Sequence, residues 1–321
     1  MNRTAYLHSA PLSQGDTVAI VAPSGPSTRS SLRRAVGYFE AWGLTVRVGE
    51  HVLDRHSRSR YLAGEDDARR HDLVSAWCDP EVDAVVSLRG GYGAMRLLDG
   101  IDWAEMREHG LRADGRPKLL TGSSDITALH EAFRAHLDIS SLFSPMPGND
   151  VFQDSSFIRN DVHRWLFEPW AGRELIGPKA EILVSGQSAG RFMGGNLSLL
   201  AASLGAPESA SSPSGLLFLE DIDEDIYRLD NLLIQLARAG KLDAATGFVL
   251  GSWHECGTLD EVQDLLEEYV GHLGVPVIWE QGFGHDPNAL SVPFGVDGLL
   301  DATGAAPRLT VSASTLDGGH E

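Results

Sequence analysis

Cysteine is nearly absent. Cys78 and Cys256 are the only two in 321 residues, and they lie far apart. Neither sits in a metal-binding or redox spacing, which excludes zinc ribbons and thioredoxin-type motifs. Two buried thiols in a reducing compartment are expected rather than a disulfide. Basic residues are also scarce. With 26 Lys and Arg against 45 Asp and Glu, the formal charge is −19, which repels nucleic-acid backbones and anionic membranes. The one basic cluster, Arg55 to Arg60, is soon followed by Glu65, Asp66 and Asp67 and reads as a solvated loop. Nucleic acid is therefore not an expected partner. Long apolar runs are missing too: none approaches the 18 residues of a membrane span. Residues 1–15 hold one Arg and no apolar signal-peptide core, so the expectation is a cytoplasmic protein with no membrane partner.

What is present is a globular composition, 42% apolar and 22% charged with 35 Gly and 15 Pro. A chain of this length suggests two domains and can hide roughly three quarters of its unfolded surface. The first half alternates buried strands with amphipathic helices. Thr17 to Ala22, Leu44 to Val48, Ala84 to Leu88 and Lys118 to Thr121 read as strands. Ser30 to Trp42 and Asp66 to Trp77 read as helices between them. Such alternation implies an α/β fold with a doubly wound parallel sheet, its ligand site outside the carboxyl ends of the strands. This domain is placed at 1–150. The turn-rich stretch 151–178, with one short helix around His163 to Phe167, reads as a linker, and 179–321 as a second domain. There, strands are expected at Ala180 to Val184, Leu216 to Leu219, Phe248 to Leu250, Val275 to Trp279, Leu290 to Val296 and Arg308 to Ser312, with a turn at Gly194-Gly195-Asn196.

Ser124 is the leading candidate for chemistry. It stands where an apolar strand turns sharply into a helix with Ile126, Leu129 and Phe133 on one face. A serine there projects its hydroxyl beyond the sheet edge, and the Asp125 amide at the helix start suits a developing oxyanion. Ser and Asp are also preferred helix caps, which is the simpler use of the same residues. Arg89-Gly90-Gly91-Tyr92-Gly93 follows the neighbouring strand. Its glycines permit close backbone approach or positive φ; the Gly91 amide is a second oxyanion candidate, and a tight turn without further function is the simpler use of the same residues. Arg96 breaks the dinucleotide fingerprint, and no phosphate-loop Lys is present.

Glu220 directly follows the apolar strand Leu216 to Leu219, an expensive place for an unused carboxylate. Its acidic neighbours fail the calcium-loop pattern, with Ile226 and Leu232 where Gly and Glu are needed. His254-Glu255 lacks the second His of a zincin. His285 lies in the glycine-rich loop Gly282 to Asn288 after a strand. Ser124, His285 and Glu220 could together form a nucleophile, base and orienting acid. No metal or cofactor is expected.

In chain order, the landmarks are Val18-Ala19-Ile20-Val21-Ala22-Pro23-Ser24-Gly25, Tyr61-Leu62-Ala63-Gly64, Arg89 to Gly93, Gly122-Ser123-Ser124-Asp125-Ile126-Thr127, Gly194-Gly195-Asn196-Leu197, Leu219-Glu220-Asp221 with Tyr227-Arg228, and Gly284-His285. Together they resemble the LD-carboxypeptidase family of serine peptidases, which includes the microcin C self-immunity peptidases. The resemblance implies Ser124 as nucleophile, His285 as general base and acid, Glu220 as its orienting partner, and an oxyanion hole from Gly91 and Asp125. It implies a flavodoxin-like first domain, a swivelling β-rich second domain, a homodimer, and release of terminal D-Ala from murein tetrapeptide. Arg89, Tyr92 and Arg228 are candidates for substrate binding. Two departures from the family are Ser123, where an aromatic is usual, and Ser144, where relatives often carry His-Gly-Pro.

Two other readings compete. An immunity-type amidase would cleave an aminoacyl-nucleotide and want an aromatic for the base, with Trp165, Trp170 and Trp253 available. A non-catalytic peptide or sugar binding module would keep its ligand affinity when Ser124 is replaced by Ala.

Overall fold

A computed structural model describes residues 11–209 and 214–313. The first half runs β1 (Thr17–Val21), α1 (Arg29–Ala41), β2 (Thr45–Val48), α2 (Asp66–Cys78), β3 (Ala84–Ser87), α3 (Trp103–Glu108), β4 (Leu119–Gly122), α4 (Thr127–Leu137) and β5 (Ser141–Phe143). The strands lie in the order β2-β1-β3-β4-β5 and all pair in parallel. β3 and β4 are buried along their whole length, as strands covered by helices on both faces must be. That is the doubly wound sheet expected of the sequence.

Residues 151–178 are more ordered than a linker. They contain most of α5 (Asp150–Asp154), α6 (Ser156–Phe167) and the short β6 (Glu174–Leu175). This stretch is fastened to the first domain: Arg34 Nη2 donates to the Gln153 carbonyl at 2.9 Å, and Leu12 N to the Leu166 carbonyl at 2.7 Å.

The second half runs β7 (Glu181–Val184), β8 (Gln187–Asn196), α7 (Leu197–Ala202), β9 (Gly215–Ile222), α8 (Ile226–Arg238), β10 (Ala245–His254), α9 (Leu259–Val270), β11 (Val277–Trp279), β12 (Val292–Phe294), β13 (Asp297–Asp301) and β14 (Arg308–Val311). Its sheet has the order β6-β14-β13-β8-β9-β10-β11-β7, with β8 to β11 parallel and the outer strands antiparallel. Helix α8 buries Leu229, Leu232, Leu233 and Leu236 on one face. Helix α9 begins with a capping box, Thr258 with Glu261.

Two expectations are corrected here. Gly194-Gly195-Asn196 is the end of strand β8, not a turn. The single strand expected over Leu290 to Val296 is a shorter one, β12, which leaves its own sheet and pairs antiparallel with β5 of the first domain, Val292 opposite Phe143 and Phe294 opposite Ser141. Gly295, at φ 81°, turns the chain back into the second sheet. Consequently one hydrophobic cluster runs through both domains, from Val18 and Ile20 by way of Phe143 and Phe294 to Phe218 and Val249. Both cysteines are free, but only Cys256 is buried; Cys78 is half-exposed. Among the described residues no helix is long and apolar enough to cross a membrane.

Candidate active site

Strand β4 delivers the serine. After Gly122 the chain passes through extended Ser123 to Ser124, which sits at φ 59° and opens a short 3-10 turn, Ser124–Ile126, leading into α4. A non-glycine residue in the left-handed region costs on the order of 1–2 kcal/mol and is held by its surroundings. Here Gly122 makes the turn possible. At φ 153° it allows Ile126 to fold back so closely that a side chain at 122 would meet Ile126 Cγ1 at 2.8 Å. Asp125 holds the turn from below, its Oδ2 accepting from Ser24 Oγ at 2.5 Å and from Ala94 N at 2.8 Å. One buried carboxylate thus joins the loops after β1, β3 and β4. Beneath the turn lies buried His130. Its Nε2 meets the Gly122 carbonyl at 2.8 Å and its Nδ1 meets Ser141 Oγ at 2.7 Å. A carbonyl only accepts, so the proton is on Nε2 and the serine donates to Nδ1. Burial lowers this imidazole to about 4, keeping it neutral.

The second domain delivers the other two residues. Glu220 is fully buried near the end of β9, level with Asn196 on β8. Its Oε2 accepts from His285 Nδ1 at 2.7 Å. His285 is fixed by its backbone amide, which donates to Ser252 Oγ at 2.8 Å. Gly284, at φ 107°, is required there, since a side chain would lie 2.5 Å from Glu220 Oε2. Burial alone would lower the His285 imidazole, but the charge and hydrogen bond of Glu220, aided by Asp221, hold it above its ordinary value. Asp221 is pushed up to about 6 by burial and the charge of Glu220, against hydrogen bonds from Ile222, Asn196 and Ser198.

Ser124 and His285 line the same cavity of about 550 Å³. Its walls come from the loops after β1 (Ser27, Thr28), β3 (Arg89, Gly90, Gly91) and β5 (Pro145, Met146, Asn149, Asp150), and from Ile222, His254 and the His285 loop. These are the carboxyl ends of the strands, where ligands of parallel sheets bind. Among the described residues no hydrogen bond joins Ser124 to His285. Catalytic bonds are often long before substrate closes the site.

The tentative binding residues separate. Arg89 lines the cavity, its Nη1 donating to the Pro26 carbonyl at 3.4 Å. Tyr92 is outside the lining and packs edge-on against Tyr61, ring centres 5.6 Å apart. Arg228 is also outside it, beside Glu224 at 3.4 Å. Gly91 lines the cavity, whereas Asp125 is buried below it. Ser123 lines the wall. Among the described residues no Trp, Tyr or Phe lines this cavity. Trp253 is in the second domain's core, and Trp165 and Trp170 pack on each other at 6.0 Å. Sequence reasoning missed His254, Asp150 and Asp286 as lining residues; His254 could have been found from its place at the end of β10.

A buried carboxylate on a histidine, in one cavity with a serine on a strained strand-to-helix turn, is the residue set of a serine hydrolase. Residues 18–144 match the LD-carboxypeptidase N-terminal domain and 189–300 the LD-carboxypeptidase C-terminal domain. A Streptomyces coelicolor protein named "Putative carboxypeptidase" is 45% identical over 294 residues, 91% of this chain and 93% of the relative. The murein tetrapeptide carboxypeptidase of Pseudomonas aeruginosa is 30% identical over 294 residues, 88% and 92% of the two chains. The crystal structure of muramoyltetrapeptide carboxypeptidase from Oxalobacter formigenes superposes with a TM-score of 0.78 at 29% identity, covering 92% of this chain and 98% of that one. A structure of MccF in complex with glutamyl sulfamoyl guanosine shares the fold, with a TM-score of 0.81 at 20% identity over 96% and 99% of the chains. The chain belongs to the LD-carboxypeptidase family. It is a serine carboxypeptidase.

Proposed function

We propose that this enzyme hydrolyses the amide between an L-centre and a terminal D-amino acid, releasing D-Ala from murein tetrapeptide during cell-wall recycling. The observation that carries this reading is His285, held by buried Glu220 at 2.7 Å, lining the same cavity as Ser124. Glu220 holds Nδ1 protonated, which leaves Nε2 as the basic nitrogen. Ser124 Oγ attacks the carbonyl carbon as Nε2 takes its proton, and the oxyanion forms against the Gly91 and Asp125 amides. The imidazolium returns that proton to the leaving D-Ala nitrogen. Water, deprotonated by the same Nε2, then splits the acyl-enzyme and regenerates Ser124. Arg89 is the cation at the cavity for the substrate's terminal carboxylate.

Among the described residues no Trp, Tyr or Phe lines the cavity, which favours a peptide over an aminoacyl-nucleotide, whose base would need a stacking partner. The same reading places the reaction in the cytoplasm, where recycled peptides arrive, and the assembly as a homodimer, which light scattering on the purified protein tests. The deciding experiment incubates wild type and Ser124→Ala with murein tetrapeptide and follows D-Ala by mass spectrometry. Release by wild type alone is expected. Release by both proteins would remove Ser124 from the mechanism. No release, with cleavage of an aminoacyl sulfamoyl nucleoside instead, would transfer the enzyme to the amidase class. Binding of the tetrapeptide without cleavage of either compound would leave a binding module.

A further inference from the structure

The Gly194-Gly195-Asn196 segment has a role beyond ending a strand. Both glycines have positive φ, 122° and 135°, and both are hemmed in. A side chain at 194 would come within 2.1 Å of the Phe218 carbonyl oxygen, and one at 195 within 2.6 Å of Thr127 Oγ1. The glycines therefore bring the end of β8 against the first turn of α4, in the other domain. There the backbone amide of Asn196 donates to Thr127 Oγ1 at 3.0 Å, in a buried contact. Thr127 is three residues beyond Ser124, and its own amide bonds back to the Ser124 carbonyl.

Asn196 continues the connection. Its Nδ2 donates to Glu220 Oε1 at 3.2 Å and to Asp221 Oδ1 at 2.8 Å. Its Oδ1 accepts from Ser198 Oγ at 2.7 Å and from Leu199 N at 3.2 Å. Every polar atom of this side chain is thus engaged inside the protein. The far oxygen of Glu220 holds His285. We propose that Thr127 is a positioning residue: through Asn196 its hydroxyl sets the Glu220–His285 pair in register with Ser124 across the domain boundary. Neither Thr127 nor Asn196 touches the reacting atoms in this scheme; each acts through Glu220. The inference rests on the Ser124–His285–Glu220 reading.

Thr127→Val removes the acceptor at nearly constant shape, and Thr127→Ser restores it. The readouts are kcat and KM for tetrapeptide hydrolysis, together with the rate at which a fluorophosphonate labels Ser124, which is independent of substrate identity. In Thr127→Val, kcat falls roughly ten- to a hundredfold, as sub-ångström to ångström misplacement produces, while KM holds within about twofold. Labelling slows in parallel, and Thr127→Ser returns both to near the wild-type level. If valine is not accommodated, Thr127→Ala gives the same comparison. Wild-type kcat and labelling in the valine or alanine variant would overturn the proposal, as would a serine variant no better than the valine one. A wild type that is never labelled would overturn the triad reading and this inference with it. Normal labelling of wild type and variant alike would overturn the inference alone.

Discussion

Gly90 lies directly against Ser124: a side chain at position 90 would stand 3.1 Å from Ser124 Cβ and 3.3 Å from its Oγ. The glycine turn after β3 therefore sets the space around the nucleophile, whatever else it does for an oxyanion. Gly90→Ala presses on Ser124 and on Met146 together, since Met146 Cε is also 3.1 Å away. The flexible methionine can yield, but its yielding does not clear the contact with Ser124 Cβ. Expected is a fall in kcat of about tenfold or more from misplacement of the hydroxyl, with little change in the melting temperature. Steady-state kinetics beside a thermal melt checks it. An unchanged kcat would mean that the added methyl leaves the hydroxyl in place.

Removing the charge from Glu220 tests the acid partner. Glu220→Gln keeps the shape but withdraws the interaction that holds the His285 imidazole above its ordinary value. A general base works only when deprotonated, so the wild-type kcat/KM rises with pH through the raised His285 value. In the variant that rise moves to lower pH. The maximal rate falls roughly 10³- to 10⁴-fold, the size of effect seen when a triad acid is neutralised. A pH–rate profile of both proteins decides it, and an unmoved acid limb would separate Glu220 from the titration of His285.

Much of this site was legible in the sequence because it lies at strand ends. Apolar runs such as Ala84 to Leu88 and Leu216 to Leu219 mark buried strands, and a polar residue immediately beyond them must face the carboxyl edge. Ser124 and Glu220 become candidates that way, and His285 by its glycine-rich loop. What pattern could not reveal was long-range pairing. β12 is a three-residue strand that joins the other domain's sheet, and nothing local distinguishes it from an extension of β13. The same holds for the Asp125 carboxylate, whose partners Ser24 and Ala94 are 101 and 31 residues distant. Gly194-Gly195 looked like a turn because two glycines usually make one. Here close packing against Phe218 and Thr127 requires them inside a strand.

Among the described residues Arg89 is the one Lys or Arg that lines the cavity, and its hydrogen bond there is a long one, to the Pro26 carbonyl at 3.4 Å. Arg89→Gln should therefore cost substrate binding more than fold. Losing a charge-assisted contact to a carboxylate is worth about 1.5–3 kcal/mol, roughly ten- to a hundredfold in KM. The check is KM for the tetrapeptide beside that for its carboxyl-terminal amide. Wild type should discriminate against the amide, and the variant should not. Equal discrimination by both would take Arg89 out of carboxylate recognition.

His130 gives the protein an acid sensitivity with a definite sign. Its folded value, about 4, lies below the ordinary 6.5 because burial disfavours the charged ring. Between those pH values the unfolded chain binds a proton that the folded chain refuses. Stability from this residue is thus complete above pH 6.5 and declines as pH falls toward 4, by about 3 kcal/mol in all. His130→Gln supplies an amide N–H for the Gly122 carbonyl and an oxygen for Ser141, without a titrating group. Its stability, from urea melts at pH 4.5 and 7.5, should fall less between the two than the wild type's. Parallel losses would assign the acid sensitivity elsewhere.

Phe294 supplies the last test, of whether the two domains act as one body. It is buried, and its ring packs on Phe143 of the first sheet at 5.4 Å, on Phe218 of the second at 5.7 Å and on His130 at 5.7 Å. The strand that carries it is hydrogen-bonded to β5. Truncation to Ala removes a ring from a core that both domains share, at a cost of about 3–5 kcal/mol. The effect should reach the chemistry, because Ser124 is held by one sheet and His285 with Glu220 by the other. Phe294→Ala is thus expected to melt several degrees lower and to lose kcat at temperatures where it is still folded. Leu299→Ala, on the exposed part of β13, is the control and should change stability by less than about 0.5 kcal/mol. A Phe294→Ala protein that loses stability yet keeps its full kcat would mean that the cleft is aligned without this core, by other contacts between the domains such as those of α4 with β8 and α7.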